Sequence, residues 1–164
     1  MKLKYISWIP AAVIMIIIFM FSSKPADESN DSSLSISDKI FTIYENITQT
    51  NYVGEEKEQI MGIINHIVRK TAHFTEYAVL SITFAMHLTV IGWRRRWILI
   101  LPVILSFLYA ATDEFHQTFV SERAGMFKDV MLDTSGALVG SILFTLLLYA
   151  VTIHKIKKRK QVIN

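Results

Sequence analysis

The chain contains no cysteine, which excludes a disulfide framework, a thiolate zinc site and a cysteine nucleophile. Proline occurs three times and glycine six times, too few for a collagen-like or Pro-rich low-complexity class. There is no internal repeat, Gly-rich phosphate loop or nucleophile elbow. Charge is sparse as well: Asp, Glu, Lys and Arg make up 19% of 164 residues, while 52% are hydrophobic. A disordered chain holds far less apolar residue, and a soluble domain of this size does not gather it into long unbroken runs. The length suits one domain covering residues 1–164, and the composition is that of a membrane protein.

Four apolar runs organise the chain: residues 5–21, 72–93, 97–112 and 130–153. A helix needs about 20 residues to cross about 30 Å of hydrocarbon, which the second and fourth runs supply alone. The third stops at Asp113 after sixteen residues, so it spans only if polar residues up to about His116 lie within the membrane. The predicted spans are 5–22, 72–92, 96–116 and 130–153. Lys2 and Lys4 ahead of the first run resemble the start of a signal peptide, but residues 21–26 hold no clean A-x-A-like cleavage site. The first run is therefore read as a retained span.

Orientation follows from the basic residues. One set of segments holds Lys2, Lys4, Arg94, Arg95, Arg96, Lys155, Lys157, Lys158, Arg159 and Lys160 and no acid; the other holds the remaining basic residues and all 14 acids. The bias of Lys and Arg toward the cytoplasm predicts both termini inside, at the cell membrane. The tail 154–164 then lies against anionic lipid of the inner leaflet, so its basic run is not read as a nucleic-acid arm and no nucleic-acid partner is expected.

Residues 23–71 form the extracytoplasmic segment. Residues 25–33 read as a solvated linker by composition. Ile40, Phe41, Ile43, Tyr44 and Ile47 then recur at helical spacing, as do Ile60, Met61, Ile63, Ile64, Ile67 and Val68. One or two amphipathic helices result, lying on the outer leaflet or packed against each other.

The chemistry-bearing residues converge on one depth. His66, Arg69, Lys70, His73, Glu76 and Tyr77 follow steps of three and four, a stripe entering the second span. Asp113, Glu114, His116 and Gln117 close the third span, and Asp113, His116 and Gln117 share a face if the helix continues past Thr112. Asp129, Asp133, Gly136 and Gly140 fall on one face of the fourth, where the Gly-x-x-x-Gly spacing admits a neighbouring helix closely. Arg123 and Lys128 sit above this mouth. Ionisable groups at membrane depth are costly, so unpaired carboxylates are not expected. Three readings stay open. Arg69, Lys70, Arg123 and Lys128 neutralise Glu76, Asp113, Glu114, Asp129 and Asp133 in a charge-paired plug that only fixes packing. Alternatively, Arg69, Lys70, His73, Glu76, Asp113, Glu114, His116, Gln117, Arg123 and Asp129 build a pocket for an anionic headgroup, in which His73, Glu76, Asp113, Glu114, His116 or Asp133 acts as acid or base if the protein is an enzyme. A metal held by His73-x-x-Glu76 and Asp113-x-x-His116 is the weakest, since no HExxH-type motif is present; no cofactor is expected.

At these residues the chain resembles the VanZ-like family of bacterial membrane proteins, from the first span through the fourth. The resemblance rests on Phe21-Ser22-Ser23, on Arg69-Lys70-x-x-His73-Phe74-x-Glu76-Tyr77, and on Asp113-Glu114-x-His116-Gln117-x-Phe119 followed by Arg123, Asp129 and Gly136-Ala137-x-x-Gly140. It implies a small multi-span protein of the cell envelope. The founding type is associated with reduced teicoplanin sensitivity, so the family supplies a phenotype rather than a reaction. Two positions depart from the pattern: Ser121-Glu122 stand where the family usually has Pro-Gly, and Lys24 stands where it often has Gln.

The expected protein is thus an all-α integral membrane four-helix bundle with a long extracytoplasmic segment. Its expected partners are membrane lipid and an anionic lipid-linked cell-wall precursor, bound at a polar pocket on the outer face.

Overall fold

A computed structural model describes residues 2–121 and 123–163; the side chains of residues 2, 26–27, 31–32, 157, 159–160 and 162–163 are outside that description. Glu122, one of the two residues in place of Pro-Gly, therefore lies outside the described residues, as do the side chains of tail residues Lys157, Arg159 and Lys160. Six helices follow one another: α1 (Lys2–Ile6), α2 (Ile9–Ser22), α3 (Ala26–Thr48), α4 (Gly54–Ile91), α5 (Arg95–Gln117) and α6 (Phe127–Ile163). Four stretches are long and apolar enough to cross a membrane: Leu3–Ser22, Gly54–Ile91, Arg95–Gln117 and Phe127–Ile156.

The first span is broken between α1 and α2. Pro10 offers no N–H and its ring crowds the carbonyl four residues earlier, and the chain turns at Ser7 and Trp8 before α2 continues. Pro102 lies inside α5 and is buried. It withholds the donor that Ile98 carbonyl oxygen would otherwise meet, and the Ser141 hydroxyl of α6 donates to that strip of backbone instead, 2.7 Å from Leu99 O and 3.5 Å from Ile98 O. Hydrocarbon contains no water to serve freed carbonyls, so a neighbouring serine is how a spanning helix tolerates proline. The α4–α5 turn needs a left-handed residue, and Gly92 supplies it at φ +88°, its N–H reaching Leu88 O and Thr89 O.

The sequence reading is corrected outside the four spans. Residues 26–33 are not a solvated linker but the first turns of α3. Ser33 there and Ser37 one turn on are buried, and their hydroxyls reach Asn65 Oδ1 of α4 at 2.5 Å and 3.1 Å. The polarity that suggests solvent is directed at the next helix. Nor is there a separate second amphipathic helix, because residues 60–68 are continuous with the second span. At 1.5 Å per residue α4 is about 57 Å long, well beyond one bilayer crossing. Its first turns form a hairpin with α3, so the two amphipathic stretches pack on each other.

The spans hold together through α6. An added Cβ on Gly136 would collide with the Phe74 carbonyl, and one on Gly140 with the Ala78 carbonyl. With no side chain at either position the α4 and α6 backbones meet, and Ser81 Oγ donates to Ala137 O at 2.7 Å. On the other side, Tyr109 of α5 donates to Met15 O of α2 at 2.6 Å. The chain ends and the α4–α5 turn share one end of the bundle: Ser7 hydrogen-bonds His87 at 2.8 Å, and the Arg95 guanidinium lies 5.5 Å from the Tyr149 ring centroid.

Gly136→Ala and Gly140→Ala should each destabilise the purified protein by about 1–3 kcal/mol through forced separation of α4 and α6. Gly62→Ala, on α4 with open space around its Cα, should instead stabilise by about 0.5–1 kcal/mol. Thermal melting in one detergent reads all three.

Candidate functional site

The polar end of the bundle lies opposite the arginine turn. It divides into an open cavity, a lateral ion pair and a buried layer of acids. The cavity, about 180 Å³, lies where α2, α3, α4 and the α5–α6 connection meet. Lys24, Arg69, His73, Glu76 and Arg123 line it beside Ser29, Ser33 and the apolar Phe21, Ile36 and Val68. Arg69 and His73 are one helical turn apart on α4, and Glu76 follows at the next step, which puts the three on the same wall. Arg69 Nη1 is steered by Asn30 Oδ1 of α3 at 2.7 Å. Arg123 Nη2 approaches Phe21 O at 3.5 Å, and Arg123 Nε, buried, has no protein partner. A guanidinium carries five N–H donors, so both arginines keep donors for something else. Burial, and then the nearby Arg69 charge, lower the Arg123 pKa from its ordinary value: the two cations repel across the cavity they share.

The lateral pair is Lys70 Nζ to Asp129 Oδ1 at 2.5 Å, tying α4 to the first turn of α6. The His73 ring lies 3.7 Å from Glu76 Oε2, beyond hydrogen-bond reach. No other ion pair joins the candidate residues among the described residues.

The acids lie inside. Asp113, Glu114, Gln117 and Asp133 are buried, Asp133 at 1% exposure. α5 does continue past Thr112, so Asp113 and Gln117 share a face, and Gln117 Nε2 donates to Ser22 Oγ at 2.8 Å and Asp113 Oδ2 at 3.3 Å. Glu114 Oε2 accepts from Met126 N at 2.9 Å. This brings the α5–α6 connection down onto α5, where Gly125 lies so close to the Glu114 carbonyl that a Cβ would collide with it. Asp113 Oδ1, Asp133 Oδ1 and the hydroxyl of Tyr77, which is 0% exposed, have no protein partner. His116 rests against Phe19, ring centroids 4.8 Å apart, away from the cavity lining.

Two expectations are therefore corrected. The charge-paired plug reduces to Lys70 with Asp129: Arg69 turns to Asn30, Arg123 to a backbone carbonyl, and Lys128 is exposed. Carboxylate atoms without partners do occur, since among the described residues no lysine or arginine comes within ion-pair distance of Asp113, Glu114 or Asp133. The candidate residues also do not form one pocket. Arg69, His73, Glu76 and Arg123 line the cavity; Asp113, Glu114, Gln117 and Asp133 form the layer within; Lys70 and Asp129 stand to one side. For the metal reading, no three His, Asp or Glu side chains are grouped to hold an ion among the described residues.

The order of these groups along the chain is matched over most of its length. The family model described as VanZ/LLP1 covers residues 7–148. The chain belongs to this family. No curated protein and no solved structure matches it. With four membrane-crossing stretches, it is a multi-pass VanZ-like membrane protein. The match runs from the start of span one to the last turns of span four, taking in the cavity, the acid layer and the glycine contact, and stops before the basic tail.

Several residues in or beside the cavity and the acid layer escape the sequence reading. Lys24 stands out only as a departure from the family pattern, and Asn30, Ser29 and Ser33 are hidden in a stretch whose composition suggests solvent. Gly125 is a lone glycine near Arg123, a signal that points to a close backbone approach without naming the partner.

Asp133→Asn should leave the protein close to wild type in stability, because the amide keeps the size of a buried carboxyl group whose Oδ1 has no partner. Asp129→Asn should destabilise it by about 1 kcal/mol or more by breaking the charged bond to Lys70. Melting of both variants, with Lys70→Met to close a double-mutant cycle on Asp129, measures the contrast.

Proposed function

We propose that this VanZ-like protein binds the anionic headgroup of a membrane lipid at the polar end of its bundle, that this end faces out of the cell, and that a lipid-linked cell-wall precursor is the natural ligand. One observation carries the reading: Lys24, Arg69 and Arg123 converge on a single open cavity in which, among the described residues, Glu76 is the one carboxylate. Two guanidiniums that repel each other and retain free donors are stabilised by a shared counter-anion, and planar N–H forks suit phosphate oxygens. Phe21, Ile36 and Val68 give the same cavity an apolar side, as a ligand half in lipid requires.

The orientation is supported by the basic residues at the opposite end: Lys4, Arg94, Arg95, Arg96 and Lys155 belong to segments the inner leaflet retains. A protein holding a precursor headgroup at the outer face competes with glycopeptides such as teicoplanin for it, and this links the cavity to the resistance phenotype of the family's founding type. A second reading, an enzyme acting on the headgroup, is favoured by His73 and Glu76 on the cavity wall, where an acid or base would stand.

Arg69→Ala and Arg123→Ala should each weaken binding of a phosphate-headed lipid to the purified protein by about tenfold or more, the equivalent of one charge-assisted hydrogen bond. Lys128→Ala should leave affinity unchanged. Equal affinities across the three variants would refute the headgroup site. Release of phosphate or of the headgroup from bound lipid, lost in His73→Ala, would turn the reading to the enzyme.

The absence of cysteine makes topology directly testable. In intact cells a membrane-impermeant maleimide should label Ser35→Cys, and should label Arg95→Cys only after the membrane is opened. The reverse pattern would invert the protein and remove the outer-face assignment.

A further inference from the structure

A second cavity, about 370 Å³, lies between α2 and α4 at membrane depth. Its α2 wall is Ile14, Ile17 and Ile18, at spacings of three and four; its α4 wall is Ala72, Thr75, Glu76 and Val79, at i, i+3, i+4 and i+7. Each wall is thus one face of one helix, and the space between is a groove running along both. Ala72 and Glu76 also line the basic cavity. The two spaces therefore meet at this pair of residues, one lined by cations, the other mainly by branched aliphatic side chains.

We infer that the α2–α4 groove holds the hydrocarbon chain of the same phosphate-headed lipid whose headgroup sits at Lys24, Arg69 and Arg123, the lipid entering sideways from the bilayer. This rests on the headgroup reading above and adds the class of ligand: a single-chain amphiphile rather than a soluble anion. Three observations select that occupant. The groove lies within the span, where hydrocarbon is the surrounding medium. It adjoins a cavity of opposite character, the two sharing Ala72 and Glu76 as wall residues, so one molecule with an anionic head and an apolar tail matches both in the order in which they occur. Glu76 stands at the junction, and a carboxylate there repels a phosphate that moves below the arginines, setting the depth at which the headgroup stops. A larger apolar cavity, about 470 Å³ between Trp8, Met15, Phe84 and Leu105, is lined among the described residues by no lysine or arginine, only His87 being basic, and carries no such argument.

The test uses full-length protein in phosphatidylcholine nanodiscs and a fifteen-carbon isoprenyl monophosphate with a photoactivatable diazirine on its chain. Crosslinks should map to Ile14, Ile17, Thr75 and Val79. They should fall by about tenfold in Arg69→Ala, which removes a headgroup donor, and vanish in Val79→Trp or Ile17→Trp, each of which fills the groove from an exposed position on a different helix. Binding of inorganic phosphate should persist in both tryptophan variants. Crosslinks spread evenly over the lipid-facing surface, or unchanged by both tryptophans, overturn the groove while leaving the headgroup site in place. Crosslinks indifferent to Arg69→Ala and Arg123→Ala, with no phosphate binding, overturn both.

Discussion

The close contact of α6 on α4 at Gly136 and Gly140 is the constraint on which the rest of this molecule depends. Lipid tails are as apolar as leucine, so spanning helices gain nothing from hiding aliphatic surface from them; backbone approach and hydrogen bonds must hold the bundle together. Two glycines at four-residue spacing permit that approach, and Ser81 adds a hydroxyl bond to the Ala137 carbonyl. Asp133 and Asp129 lie on the same face one and two turns earlier. The register that lets the backbones touch therefore also turns Asp133 inward and brings Asp129 to Lys70. Packing and charge placement are the same fact.

The four spans are legible in the sequence because apolar run length is a direct consequence of bilayer thickness. The short third run predicts that Asp113 and His116 enter the helix, and α5 does run to Gln117. What the sequence does not reveal is how a polar stretch uses its polarity. Ser29, Asn30, Ser33 and Ser37 look the same whether they meet water or another helix, and only the partner, Asn65 or Arg69 on α4, decides between them. Helix continuity is hidden for a related reason: no Gly or Pro separates residues 60–68 from the span, yet the change from amphipathic to wholly apolar composition reads as a boundary.

The candidate residues follow the same division. Helical spacing puts His66, Arg69, Lys70, His73, Glu76 and Tyr77 in one stripe, of which Arg69, His73 and Glu76 line the cavity while His66 and Lys70 lie to another side and Tyr77 is buried. Spacing says nothing about pairing between helices. Opposite charges at one depth suggest mutual neutralisation, but among the described candidate residues only Lys70 pairs, with Asp129, while Lys24, Arg69 and Arg123 line the open cavity and Asp113, Glu114 and Asp133 have amide, backbone or no partners.

The unbroken course of α4 has a mechanical meaning. A helix that leaves the hydrocarbon without a hinge behaves as a stiff lever, with its fulcrum at the glycine contact with α6 and its long arm in the α3 hairpin. A tilt of the exposed arm swings Arg69 with it while Glu76, between the contact residues Phe74 and Ala78, stays at the fulcrum, so whatever leans on the hairpin shifts a cavity cation past the cavity carboxylate.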